Sequence, residues 1–254
     1  METNSFFDIN RLKYLIQRDF SINYKTMLIA SGAITGFLMF IGTLTIIFGD
    51  KSMNEQNILG MIMPTLIIAG LISTSLVFSE LNSPHRGYLY LTLPASAFEK
   101  LISSWLVTSV FYVIFSIVLL FILNVYYIII AEAFTSKSIP LINIFSIEVL
   151  KPFGIYMVVQ SIFLLGAIYF RRVNFLKTIL AWFVVFIIIS LYTGLLGKIL
   201  FNHFSVDNTM MNHSNDLKLT IENIIVPVAK LLFWFALAPF FLTVSYFRLK
   251  ERQV

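Results

Sequence analysis

Long, uninterrupted blocks of apolar residues alternate with short polar segments along the 254-residue chain. Six blocks are long enough to cross a hydrocarbon layer about 30 Å thick. Since hydrocarbon offers no partners to backbone amides and carbonyls, each block must be helical; a transmembrane barrel would show short alternating segments. The pattern predicts an all-α polytopic membrane protein, one transmembrane domain over 1–254, with spans at 27–48, 58–78, 101–130, 152–170, 178–197 and 224–247.

A separate amphipathic helix is predicted before the first span, over residues 5–21, with Ser5 as its cap. Apolar residues recur there at helical spacing on one face: Ile9, Leu12, Ile16 and Phe20. We expect this helix to lie in the membrane interface. Basic residues off the apolar face would then meet lipid phosphates: Arg11, Lys13 and Arg18.

Within the first span, Gly32 and Gly36 form a GxxxG pair. Two glycines at this spacing remove side chains from one strip of a helix, so that another helix can approach its backbone closely. The pair is a candidate packing surface for a second helix.

The connection between the second and third spans, residues 79–96, combines turn signals with an apolar run. Pro84 and Gly87 predict a turn, and Ser96 with Glu99 forms a capping box that starts the next helix at Ala97. A polar connection needs no Tyr-Leu-Tyr-Leu run, so this element is expected to pack on the membrane surface or dock into a partner. The candidate docking residues are Glu80, Asn82, Ser83, Pro84, His85, Arg86, Gly87, Tyr88 and Tyr90.

The basic residues predict the orientation. With the amino terminus inside, twelve of the 18 Lys and Arg residues fall in cytoplasmic segments, as the positive-inside rule requires. Both termini are then cytoplasmic, and the net charge of +5 faces anionic lipid. Because no basic stripe lies on a soluble domain, nucleic-acid binding is not expected.

Catalytic motifs are missing from the sequence. There is no GxxxxGK[ST] loop for nucleotide phosphates, the three histidines lie in loops, and cysteine is absent. Five of the six predicted spans hold no charged residue or histidine, and the sixth holds only Lys230. We therefore expect no catalytic residues, no metal site and no enzymatic activity. Ion-coupled transport is also not expected, because it usually places an acid or histidine at membrane depth. The amides Asn124 and Gln160 within the spans are expected to make interhelical hydrogen bonds.

Two short stretches carry a family resemblance. One precedes the third span and reads Leu91-Thr92-Leu93-Pro94-Ala95-Ser96-Ala97-Phe98-Glu99-Lys100. The other leaves the last span and reads Tyr246-Phe247-Arg248-Leu249-Lys250-Glu251-Arg252. Both stretches resemble the type-two ABC permeases, which are the membrane subunits of bacterial ATP-binding-cassette exporters. The layout of six spans with cytoplasmic termini is similar to that family over almost the whole chain.

The resemblance implies a bacterial inner-membrane permease that pairs with a second copy or paralogue. A separate cytoplasmic ABC ATPase would bind ATP and Mg²⁺ and dock on a coupling helix, here Glu80 to Leu93, with Glu80 and Arg86 as charged contacts. Residues 5–21 would be the family's interfacial helix, and spans one, two and five would line the path. In many members the connection before the last span, here 198–223, is a re-entrant helical pair; its polar middle departs from that pattern.

Two other classes of function fit the same sequence. A non-transporting polytopic protein, such as an immunity, sensing or scaffold factor, would also lack catalytic motifs, since fold does not fix function. A carrier or channel that works without ATP is the other alternative. Co-purification with an ATPase separates the permease from the first, and a flux assay on the chain alone tests the second.

Overall fold

The structure is a computed structural model that describes residues 7–49, 54–82, 84–135, 138–170, 173–201, 223 and 226–252. Within these ranges every regular element is helical. Six helices are long and apolar enough to cross a membrane, which confirms a multi-pass, all-α membrane protein. The elements are α1 (Ile9–Phe48), α2 (Glu55–Leu76), α3 (Pro84–Leu91), α4 (Ala97–Phe134), α5 (Ile147–Tyr169), α6 (Asn174–Phe201) and α7 (Val226–Glu251).

The predicted separate interfacial helix over 5–21 is wrong. Residues 9–48 form one continuous helix of 40 residues. Its cap is Asp8, whose carboxylate accepts a hydrogen bond from the Asn10 amide, while Ser5 lies outside the described residues. Nothing between 21 and 26 breaks the helix, because that segment holds neither proline nor glycine. Leu12 and Leu15 are buried in the protein. The first turns of α1 therefore pack partly on the bundle.

α1 and α4 run side by side in the same direction. Near their far ends the Tyr127 hydroxyl donates to the Leu38 carbonyl at 2.7 Å, and the Thr43 and Tyr126 hydroxyls lie 3.0 Å apart. The Tyr127 ring occupies the space that a Cβ on Gly42 would need. Glycine is therefore required at position 42 for this close approach. Near the beginning of both helices, Arg11 contacts Glu99.

α5 occupies the centre of the bundle and packs against α2, α6 and α7. One buried cluster joins α1, α2, α4 and α5 with Ile139 and Ile142 of the α4–α5 connection. A second cluster lies where α1, α4 and α6 begin and where α2, α5 and α7 finish, and it includes Phe78, Tyr90 and Leu249. We call this end of the bundle the charged end, because ion pairs gather there.

Among the described side chains of α6, the buried ones lie at its beginning. The Asn174 side chain donates to the carbonyls of Ser75 and Ala167, at 3.3 and 3.4 Å, and Thr178 packs against Gly166. From 179 to 196 every residue of α6 is exposed. An exposed apolar helix of this length fits contact with lipid or with another protein chain.

Candidate functional site

The capping box at the start of α4 is present as predicted. Ser96 Oγ accepts from the Glu99 amide at 3.1 Å, and the Glu99 carboxylate accepts from the Ser96 amide at 2.8 Å. Glu99 also binds α1: its carboxylate accepts from the Asp8 amide at 2.7 Å and pairs with Arg11 at 3.1 Å. The Glu99 carboxylate is fully buried, so its three partners, the Ser96 and Asp8 amides and the Arg11 guanidinium, replace the water that it loses. It ties the first turns of α1 and α4 together.

A second ionic group lies two turns further along α1. Arg18 pairs with Glu80 at 2.7 Å and with Asp19 at 3.2 Å, and Ser103 of α4 donates to Asp19 at 3.4 Å. Glu80 belongs to the 3₁₀ turn Ser79–Asn82 that follows α2. The group therefore joins three elements: α1, the connection after α2, and α4.

Tyr90 fixes α3 against this group. Its ring lies 5.5 Å from both the Arg18 guanidinium carbon and the Lys100 ammonium, and Phe78 packs against it edge to face. Burial and the Asp19 carboxylate raise the pKa of the Tyr90 phenol. Burial and the Arg18 charge lower the pKa of Lys100, which the Glu99 charge partly offsets. Cations over a buried aromatic ring are held by its negative face.

α3 has one anchored side and one exposed side. Gly87 and Tyr90 are buried, whereas Tyr88 and Leu89 are 69% and 53% exposed. Of the other predicted docking residues, Glu80 is engaged by Arg18 inside the chain. Ser83 lies outside the described residues, as do the side chains of Asn82, Pro84, His85 and Arg86.

The basic residues expected to meet lipid phosphates divide into two kinds. Arg11 and Arg18 are held in ion pairs with Glu99 and Glu80. Lys13 is exposed. Gly32 and Gly36 meet nothing within 4 Å among the described residues, so no helix of the described chain uses that strip.

Asp19, Lys100 and Ser103 were not singled out by the sequence, and Glu99 was identified only as a cap. One signal was present: Arg18-Asp19 and Glu99-Lys100 are adjacent opposite charges that flank apolar blocks. The sequence does not indicate that these pairs meet, because they belong to segments about eighty positions apart.

A polar group inside the bundle surrounds a π-helical turn in α4, Val107–Phe111. From α5, the Tyr156 hydroxyl donates to the Thr108 carbonyl at 2.5 Å and Gln160 Nε2 donates to Thr108 Oγ1 at 2.5 Å. Gln160 thus makes the predicted interhelical bond. Asn124 instead binds the connection after α4, at Pro140 and Ile142.

The chemistry available at these sites is positioning and charge pairing. In the described part of the chain no group of three or more His, Asp and Glu residues is arranged to hold a metal ion. Comparison of the chain with protein-family models, with curated proteins and with solved structures gives no match.

Proposed function

We propose that this chain is the permease subunit of an ATP-binding-cassette exporter, with its charged end in the cytoplasm. The observation that carries the proposal is α3. It is a short helix outside the spans that is anchored on one side by Tyr90 and presents Tyr88 and Leu89 outward. A tyrosine and a leucine side by side on an exposed helix suit a groove on a partner protein. The partner is an ATPase that binds ATP and Mg²⁺.

The contacts of α3 suggest how a push on it reaches the spans. Tyr90 lies against Lys100 of α4, and Glu80 just before α3 is paired with Arg18 of α1. A displacement of the 79–91 segment would therefore transmit force to both α1 and α4. Two bundle conformations would exchange populations if the ATP-bound partner binds one of them better.

The orientation is supported by the distribution of positive charge. Arg11, Arg18, Lys100 and Arg248 all lie at the charged end, with Lys250 close by. Cytoplasmic loops carry such an excess of Lys and Arg. The bacterial inner membrane and the pairing with a second permease copy or paralogue rest on the family resemblance.

The test has two steps: the neighbouring genes are searched for a Walker-loop ATPase, and that ATPase is then co-expressed with the tagged chain. We expect the ATPase to co-purify, and we expect Tyr88→Ala with Leu89→Ala to abolish co-purification. The matched control is Phe183→Ala with Val184→Ala, an exposed aromatic and aliphatic pair on α6, which should leave it unchanged. The proposal would be refuted if no ATPase gene lay beside this one, or if the wild type and both double variants recovered equal amounts of ATPase. Either result would favour a non-transporting membrane protein.

A further inference from the structure

A narrow apolar groove of about 300 Å³ lies between the first turns of α4 and the last turns of α7. Phe98, Ile102 and Trp105 line one wall, and Thr243, Tyr246 and Phe247 line the other. Thr243 and Phe247 are exposed, so the groove opens on the outer surface of the bundle.

The groove runs along the bundle axis. α4 begins at the charged end and α7 finishes there, so Phe98 and Phe247 lie at its mouth while Trp105 and Thr243 lie deeper. Phe98 and Trp105 are seven residues apart, which is about 10 Å along a helix. Its direction is that of an acyl chain entering from the membrane surface, and Trp and Tyr are the residues that prefer the membrane boundary.

An exposed lysine, Lys250, follows the groove residues of α7 at the charged end. Lys250 is exposed and lies one turn beyond Tyr246 on the same side of α7. Neighbouring cations have other partners. Arg248 pairs with the Glu251 carboxylate at 2.6 Å, and its guanidinium carbon lies 5.2 Å from the centre of the Tyr169 ring. Arg11 pairs with the Glu99 carboxylate at 3.1 Å. The ion pairs found among the described residues do not include Lys250.

We propose that this groove is a binding site for an anionic phospholipid, with one acyl chain lying along the outer surface of the α4–α7 contact, over the edge-to-face Phe98–Tyr246 pair, and the phosphate on Lys250. A zwitterionic phospholipid also brings a phosphate to Lys250, but its own ammonium group offsets that charge. An anionic phospholipid has a net negative charge, which attracts the lysine more strongly. The inference does not depend on the proposed transport function.

Trp105 is a reporter inside the groove. In a Trp182→Phe, Trp234→Phe background it is the only tryptophan of the chain. The protein is placed in phosphatidylcholine vesicles that contain a minor fraction of brominated phosphatidylglycerol or of brominated phosphatidylcholine. We expect the phosphatidylglycerol to occupy the site, and quench Trp105, with about fivefold preference. Lys250→Gln should remove the preference, and Lys177→Gln, an exposed lysine on α6 at the same end, should keep it.

Two outcomes overturn the proposal. Equal quenching by both lipids, unchanged in Lys250→Gln, means that only bulk lipid fills the groove. No quenching by either means that protein covers it. Where the single-tryptophan background does not fold, native mass spectrometry of the unmodified chain and of Lys250→Gln measures retained phosphatidylglycerol; equal retention counts against the site.

Discussion

Asp19 is a carboxyl group on which burial and its neighbours act in opposite directions. It lies in the third turn of α1, before the apolar stretch 27–48. Burial raises its pKa from 3.8 to about 6; the Glu80 charge also raises it, while Arg18 and the Ser103 hydroxyl lower it. The Tyr90 phenol, whose pKa the Asp19 charge raises, also faces it. The folded chain therefore keeps the Asp19 proton in a pH range where the unfolded chain has released it.

The free energy of unfolding should fall as pH rises from about 4 to about 6, because over that range the folded state binds more protons at Asp19. Asp19→Asn cannot ionise and should escape this loss. We expect the free energy of unfolding of the variant, measured relative to that of the wild type, to increase with pH, by up to about 3 kcal/mol above pH 7. SDS unfolding in mixed micelles between pH 4.5 and 7.5 measures the difference. Parallel stability profiles would contradict the expectation.

Glu99 and Glu251 provide a matched pair of glutamates in ion pairs. The Glu99 side chain is fully buried beside Arg11, whereas that of Glu251 is 63% exposed beside Arg248. Glu99→Gln should cost about 2–3 kcal/mol, since it weakens charged hydrogen bonds from two backbone amides and one guanidinium. Glu251→Gln should cost less than about 0.5 kcal/mol, because water screens that pair. SDS unfolding at pH 7 compares them; similar costs would show that the buried contacts of Glu99 are weak.

At the scale of elements, the helices followed from the sequence more directly than their contacts. Each apolar block falls within or above the range of lengths that crosses the hydrocarbon, and the Ser96–Glu99 capping box predicts the start of α4. The predicted separation of a helix over 5–21 from a span over 27–48 is wrong, because the residues between them continue the helix. Polarity alone does not end a helix; proline, glycine or a competing cap does.

The candidate site was less predictable than the spans. The turn predicted at Pro84 and Gly87 is wrong, because Pro84 begins α3 and Gly87 lies inside that helix. The contact between Arg18 and Glu80 joins residues 62 positions apart. Which charges meet depends on the parallel arrangement of α1 and α4, which is set by packing such as that of Tyr127 over Gly42. Single-sequence patterns do not encode that register.

The π-helical turn in α4 depends on α5. A π-turn changes the pairing of backbone carbonyls, and the Tyr156 hydroxyl supplies a donor to the Thr108 carbonyl. Tyr156→Phe should destabilise the protein by about 1 kcal/mol, near the upper part of the range for hydrogen bonds between membrane helices. Tyr192→Phe removes a hydroxyl from an exposed position on α6 and should have almost no effect. SDS unfolding measures both, and equal stability of the two variants would mean that the turn does not need this donor.

At the scale of the whole molecule, the charged end adds ionic contacts to a bundle whose helices α1, α2, α4 and α5 already share one apolar cluster. Deeper in the bundle, α1 packs mainly on α4, while α5 holds α2, α6 and α7. The Arg18–Glu80 pair bridges these two groups, because Glu80 follows α2 and Arg18 belongs to α1. As a partly exposed pair it adds little stability. Its value under the proposed function is that it lets one push on the 79–91 segment move both groups.

This bridge can be made permanent, because the chain has no cysteine of its own. In the Arg18→Cys, Glu80→Cys variant, a short bifunctional thiol reagent should cross-link α1 to the connection after α2. Under the proposed function we expect the cross-linked protein to bind the partner ATPase normally, since Tyr88 and Leu89 remain exposed. Transport should fall at least tenfold, because the segment can no longer shift relative to α1. Each single-cysteine variant treated with the same reagent controls for loss of the native charge pair. Full transport after complete cross-linking would mean that the two elements move as one body, and the route of coupling would have to pass through Tyr90 and Lys100 alone.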